Sequence, residues 1–250
     1  MNRNVTYHHL EETDSTNNYV RQFNTPEEDQ AILVATEFQT AGRGQKGNSW
    51  ESEPGANLLF SILIHPAFIP ASHQFCISEA ISLAVVKAAA ELSAEEHRSS
   101  FAIKWPNDIY WNKKKIAGIL IENELKGSGI ERCVIGVGLD VNQKEFVSNA
   151  PNPASLYNIN GKETDKEVLL ELLMDKFMDY YQKIRECGAD CLHEEYMSML
   201  FRRTGMHRYK DENGEFMARI SQVEQSGRII LTTQEGEDRR YEFKEVSIIL

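Results

Sequence analysis

A series of short segments that are continuously apolar or β-branched, each closed off by Gly, Pro or Asn, dictates most of what this chain can become. Ala31 to Phe38, Asn57 to Ile64, Phe101 to Trp105, Lys115 to Glu122 and Arg132 to Val141 all have strand length, and an apolar run of that kind needs both faces covered. They predict one central sheet. The cover lies between and after them: Ile77, Ile81, Val85, Ala88 and Leu92 recur at helical spacing, as do Leu169, Leu173, Phe177, Tyr180 and Ile184. Thr164-Asp-Lys-Glu167 announces the second helix as a capping box. From about Gly205 the helical period vanishes, and Phe216 to Val223, Arg228 to Thr233 and Arg239 to Phe243 alternate between Gly-bearing turns such as Glu212-Asn-Gly214. The expected architecture is an α+β domain over residues 1–203, a central mixed sheet with flanking helices, followed by a small β-barrel over 204–250. Phe146 to Gly161, rich in Asn, Pro and Ser, is expected to be a long surface loop.

Composition narrows the function classes. The 250 residues carry 27 Lys and Arg against 38 Asp and Glu, a formal charge of −11. That sign excludes nonspecific coating of nucleic acid and requires a local cationic site for any anionic ligand. The longest apolar runs fall well short of the roughly 20 residues that span a bilayer, so no membrane association is expected. Met1 to His9 has no apolar core of the signal-peptide kind, which places the chain in the cytoplasm. The four cysteines, Cys76, Cys133, Cys187 and Cys191, form no C-x-x-C pair and are expected as inert thiols. Cys187 and Cys191 lie near His193, but a zinc site needs further ligands.

Four segments concentrate chemistry. Gln39-Thr-Ala-Gly-Arg-Gly-Gln-Lys-Gly-Asn-Ser-Trp50 follows a strand and holds two basic residues and no acid. Glycines there let backbone N–H groups approach an anion, and Arg43 and Lys46 add charge. It is not a P-loop, because Asn48 stands where Lys is required, nor a Rossmann turn, because Trp50 and Pro54 lead into a strand. In Lys104-Trp-Pro-Asn-Asp108, Pro106 stops strand pairing and sets Lys104 at a strand end. In the Lys113-Lys-Lys-Ile-Ala-Gly118 turn, Lys113 and Lys114 read as solvated and Lys115 as functional. Glu12-Thr-Asp-Ser-Thr-Asn-Asn18 reads as a helix N-cap whose hydroxyl and amide groups also suit a neutral polar ring. Finally, Gly136 and Gly138 interrupt a strand, where something must pack against the bare backbone: a flat ligand, or a β-bulge.

Taken collinearly, Asp14-Ser-Thr-Asn17, Ala41 to Gly47 with Trp50, Lys104-Trp-Pro-Asn-Asp108, Lys115-Ile-Ala-Gly-Ile-Leu-Ile-Glu122 and Gly136-Val-Gly-Leu-Asp-Val-Asn142 closely resemble the biotin protein ligases. The resemblance implies a biotin/lipoate-ligase catalytic domain with an SH3-like C-terminal barrel. It implies that Ser15, Thr16, Asn17 and Gln39 hold biotin's ureido ring, with Gly42, Arg43, Gly44, Gln45, Lys104, Gly118 and Gly136 completing the biotin site. Arg43, Trp50, Lys104, Asn107, Lys115 and Asn142 would meet ATP and the adenylate, with Lys104 and Arg43 as the catalytic cations. Mg²⁺ would accompany ATP, its ligands unassigned. The chain departs from the family at Gln45 and Asn48, often Arg, at Asp140, often Asn, and at Lys244, where a glycine usually precedes Glu-Val-Ser. Asp140 either repels ATP or helps hold its magnesium.

The implied reaction joins biotin and ATP into biotinyl-5′-AMP and then transfers biotin to a lysine of a biotin carboxyl carrier protein or domain. Asp108 or water would take that lysine's proton. His8 and His9 are expected to be structural or solvent-facing. The motifs begin near the chain start, so no DNA-binding domain is expected, and the chain is expected to be a monomer or homodimer. A lipoate or octanoate ligase is the nearest rival, but its run of glycines after two arginines is missing here. A nonenzymatic biotin-binding regulatory module is the other, and Arg43, Lys104 and Lys115 exceed what mere capture requires.

Overall fold

The computed structural model describes residues 4–45, 48–147 and 152–250. Its elements are β1 (Val5–Thr13), α1 (Thr16–Val20), β2 (Ala31–Gln39), β3 (Leu58–Ile64), α2 (Phe75–Glu91), α3 (Glu95–Arg98), β4 (Phe101–Lys104), β5 (Asp108–Trp111), β6 (Lys114–Lys126) and β7 (Gly129–Leu139). There follow α4 (Leu156–Asn160), α5 (Lys166–Cys187), α6 (His193–Ser198), β8 (His207–Asp211), β9 (Gly214–Val223), β10 (Ile229–Thr233), β11 (Asp238–Tyr241) and β12 (Ser247–Ile248). The architecture is α+β, as expected from the alternation of apolar runs and helical periods.

The large sheet has seven strands in the order β1-β2-β3-β7-β6-β5-β4. It is mixed, because β1 and β2 run parallel and the remaining neighbours antiparallel. Strand β3, apolar except for Ser61, is buried at every residue, flanked by β2 and β7. Leu58, Phe60, Ile62 and Ile64 join the main core with α2 and α5. Leu63 points to the opposite face, where Val20, Val34 and Val134 form a second small cluster beneath α1. Alternation along the strands therefore divides the sheet into a helix-covered core face and a thinly covered face, and the latter carries Ser61, Gly136 and Gly138. Helix α2 is buried from Phe75 through Ala89 with few gaps, as an almost uniformly apolar helix must be. Buried Glu79 of α2 meets His193 Nδ1 of α6 at 2.8 Å.

Local expectations fail in two places. Phe146 to Gly161 is not all surface loop: within the described residues it contains α4, with Ser155 and Asn158 forming a reciprocal capping box. Ala154, Ser155 and Leu156 are buried. The cap of α5 is Asp165, whose side chain accepts from the backbone N–H groups of Glu167 and Val168. Thr164 does not cap, because its backbone N–H and C=O are both bonded to the Asn142 amide.

A second, five-stranded antiparallel sheet, β11-β10-β9-β8-β12, follows and is consistent with an SH3-like module. Trp105 fastens it to the large sheet: its indole N–H donates to Gly227 O at 2.8 Å, and its ring meets Phe243 edge-on with centroids 5.4 Å apart. Cys76, Cys133, Cys187 and Cys191 are free thiols. Among the described residues no helix is long and apolar enough to cross a membrane.

Candidate active site

A cleft of about 740 Å³ opens over the thinly covered sheet face and is lined by residues from Ser15 to Lys244. Its floor exists because three side chains are missing. Gly138 pairs with Gly118 across β7 and β6, and Gly136 lies opposite Ser61 on β3. A Cβ on Gly138 would lie 2.4 Å from the Trp50 indole, and one on Gly136 would lie 2.2 Å from Asn17 Oδ1. The flat group against Gly138 is thus the chain's own Trp50, not a ligand, and the register there is regular, with no bulge. Trp50 also spans Gly118 and carries Lys115 Nζ 5.5 Å above its ring.

At one end polar groups converge. Ser15 is the N-cap of α1 by position, yet its side chain makes no capping bond. Gln39 Oε1 accepts from Thr16 N at 2.8 Å and Thr16 Oγ1 at 3.1 Å. Buried Ser61 Oγ lies 2.7 Å from Thr16 Oγ1 and 2.6 Å from Asn17 Oδ1, while Asn17 Nδ2 donates to Glu122 at 2.9 Å. Ser61 and Glu122 were not among the expected site residues. Between them they fix both ends of the Asn17 amide.

The cations fall in two groups, Arg43 beside the amide cluster through the shared Glu122, and Lys104 with Lys115 on Asp108. Arg43 donates to Glu122 at 2.5 Å and to Asn18 Oδ1 at 2.9 Å, and Arg21 reaches Glu122 at 3.3 Å. Burial works against the Glu122 charge, but Asn17, Arg43 and Arg21 together hold its carboxyl below the usual value. Asp108 takes Lys115 at 2.6 Å on one oxygen and Lys104 at 3.4 Å on the other. Lys104 Nζ also sits 5.2 Å from the Tyr110 ring centroid. Asp140, at the end of β7, is buried with Oδ1 unpartnered on the cleft wall. Burial pushes its carboxyl well above the usual range, with Lys115 opposing and Glu51 adding to the rise.

Residues 10–140 match the Biotin/lipoate A/B protein ligase family. The chain belongs to that family. A biotin--[acetyl-CoA-carboxylase] ligase from Paracoccus denitrificans is 30% identical over 190 residues, covering 72% of this chain and 74% of the relative. The bifunctional ligase/repressor BirA of Bacillus subtilis is 28% identical over 245 residues, covering 96% and 73%. A biotin protein ligase from Aquifex aeolicus, solved with biotin and ATP, superposes with a TM-score of 0.78 at 25% identity, covering 98% of each chain.

Within this ligase fold the cleft gathers Ser15, Thr16, Asn17, Gln39, Arg43, Gly44, Gln45, Trp50, Lys104, Asn107, Lys115, Gly118 and Gly136. Gly42 does not line it. A Cβ at Gly42 would lie 2.7 Å from Trp50 O, so this glycine permits the hairpin that returns the chain to Trp50. Asn142 is also outside, occupied with Thr164. Asn107 lines the cleft while donating to Ile119 O at 2.6 Å. Lys46 and Gly47 of the glycine-rich loop lie outside the described residues. Lys113 and Lys114 are exposed. His8 stacks on Phe23 and His9 faces Glu37, both away from the cleft.

Proposed function

We propose that this chain is an ATP-dependent biotin protein ligase in which residues 1–203 carry the reaction and residues 204–250 complete the site. One observation carries this reading: a hydroxyl-amide cluster fit for a neutral ureido ring and a cation cluster fit for phosphates share one cleft. Ser15, Thr16, Asn17 and Gln39 would hold the ring, preset by Ser61 and Glu122. Biotin's carboxylate oxygen then attacks the α-phosphorus of ATP, the bond to the bridging oxygen breaks, and pyrophosphate leaves with the electron pair. Two anions must approach. At contact distance their repulsion is about 4 kcal/mol for unit charges at an effective dielectric near 20, so Lys104 and Arg43, transferred from Asp108 and Glu122, remove a substantial barrier. No protein nucleophile is needed, because in-line displacement relies on position and charge.

A divalent cation on a nucleotide needs only one or two protein carboxylates in addition to phosphate oxygens. The unpartnered Asp140 oxygen, with Glu51 nearby, fits that requirement. When bound, Mg²⁺ would neutralise phosphate charge. The mixed anhydride would need water kept from it, which a cleft walled by Gly44, Gln45 and Trp50 favours. In the second step a carrier lysine's neutral amine attacks the acyl carbon and AMP departs. Asp108, relieved of Lys104 and Lys115, or water would accept the amine's proton. The acceptor would be a biotin carboxyl carrier domain, as the names of the Paracoccus and other relatives suggest.

The test is incubation with ATP, Mg²⁺ and either biotin or lipoate, with mass spectrometry for acyl-adenylate and an assay for pyrophosphate. Biotinyl-AMP with biotin alone is expected. Lipoyl-AMP as the main product, or no pyrophosphate with either acid, would overturn the reading.

A further inference from the structure

Lys244 lies in a turn of the C-terminal module, between β11 and β12, and yet lines the cleft of the large domain. Two contacts put it there. Phe243 packs on Trp105, and Trp105 is the residue after Lys104, so the aromatic pair that joins the modules sets Lys244 and Lys104 toward one cavity. On its other side the turn is tied by Glu245 N to Glu242 O at 3.2 Å and by Glu242 N to Glu245 Oε2 at 2.7 Å. Gly227 is pressed against Phe75, whose ring centroid is 6.5 Å from that of Phe243. The position of Lys244 is therefore built, not a chance of a long side chain.

Its backbone shows a cost. Lys244 has φ 73°, the left-handed region in which glycine is at ease and a residue with a Cβ is disfavoured. Backbone strain of this kind persists where the surrounding structure enforces it, which directs attention to what the side chain does.

The cleft indicates its ligand. Lys104 and Lys115 come from the β4–β6 region and share Asp108, and Arg43 comes from the glycine-rich loop and holds Glu122. Lys244 is the cation that the other module adds to the lining. A triphosphate carries more negative charge than the groups meeting the α-phosphate can offset. We infer that Lys244 contacts the terminal phosphates of the nucleotide. The inference rests on the ATP-dependent reading above.

Lys244→Gly is the informative variant, because glycine relieves the turn while removing the charge. Its melting temperature in the absence of ligand should equal or exceed that of the parent. Its affinity for a non-hydrolysable α,β-methylene ATP should fall about tenfold, the scale of one charge-assisted contact. Affinities for AMP and for biotin should be unchanged, and Lys244→Arg should restore most of the loss. Equal losses for AMP and the triphosphate, or no loss, would overturn the inference. So would a raised KM for the carrier protein with nucleotide affinity intact, since Lys244 would then serve protein docking. If the parent protein itself bound no triphosphate analogue, the reading of ATP use would fail instead.

Discussion

Asn17 is held between two carboxyl- and hydroxyl-bearing side chains and a glycine, so small changes around it should act on ligand binding before they act on folding. A methyl group at Gly136 would lie 2.2 Å from Asn17 Oδ1. Gly136→Ala must expel the amide from Ser61 and Glu122, and leaving buried polar groups unpaired costs about 1–3 kcal/mol. Biotin affinity measured by calorimetry should therefore drop by about tenfold or more, and an unchanged Kd would refute the assignment of Asn17 to the ring. Lys104→Ala should slow single-turnover formation of biotinyl-AMP by on the order of a hundredfold, as removal of a stabilising group in a preorganised site does. Biotin binding should weaken far less, because the ring contacts survive. Adenylation at the parent rate under saturating biotin would move the role to Lys115. Arg43, Lys104 and Lys115 were legible in the sequence because cations among glycines and at a proline-stopped strand end are conspicuous in an acidic chain. Ser61 was not, since it sits inside an apolar run and reads as core. Nor was Glu122, whose partners Asn17 and Arg43 are 105 and 79 residues away. Asn142 was assigned to nucleotide on motif position, and only the fold reveals its bonds to Thr164.

Among the elements, α2 and α6 meet through a titratable pair whose sign can be worked out. The bond to Glu79 outweighs burial and raises the His193 imidazole above its usual value, and burial raises the Glu79 carboxyl despite His193. In both cases the folded state binds protons more tightly. The His193 contribution to stability is thus complete below about pH 6.5, its unfolded value, and is lost as pH rises through the raised folded value. In urea unfolding between about pH 5.5 and 8.5, the stability difference between the parent and His193→Gln should shrink as pH rises. A constant difference would show that the pair does not titrate in that range. Asp165→Ala, which removes the α5 cap, should cost about 1 kcal/mol in the same assay. Long periodic helices and fully apolar strands were readable because burial imposes their pattern. The five-residue α4 was not, since its Asn- and Ser-rich sequence serves its own caps as readily as a loop.

Across the whole molecule, the cleft draws on α1, the glycine-rich loop, β4 to β7 and the C-terminal turn, so substrates that fill it should stabilise the chain cooperatively. Biotin and ATP together should raise the melting temperature by more than the sum of their separate effects, because the adenylate spans both ends of the cleft. Strict additivity would indicate two independent sites. The order of motifs along the chain was visible in the sequence, but not the way the Trp105–Phe243 contact turns two modules toward one cavity, because no local pattern records a docking angle. The pairing of Arg43 with Glu122 and of Lys104 and Lys115 with Asp108 has a further consequence for how substrates arrive. With Arg43, Lys104 and Lys115 already paired, these groups cast little field into solvent, and an incoming nucleotide displaces internal carboxylates instead of a cloud of mobile ions. Association should therefore be slow for so cationic a lining, and nearly indifferent to ionic strength.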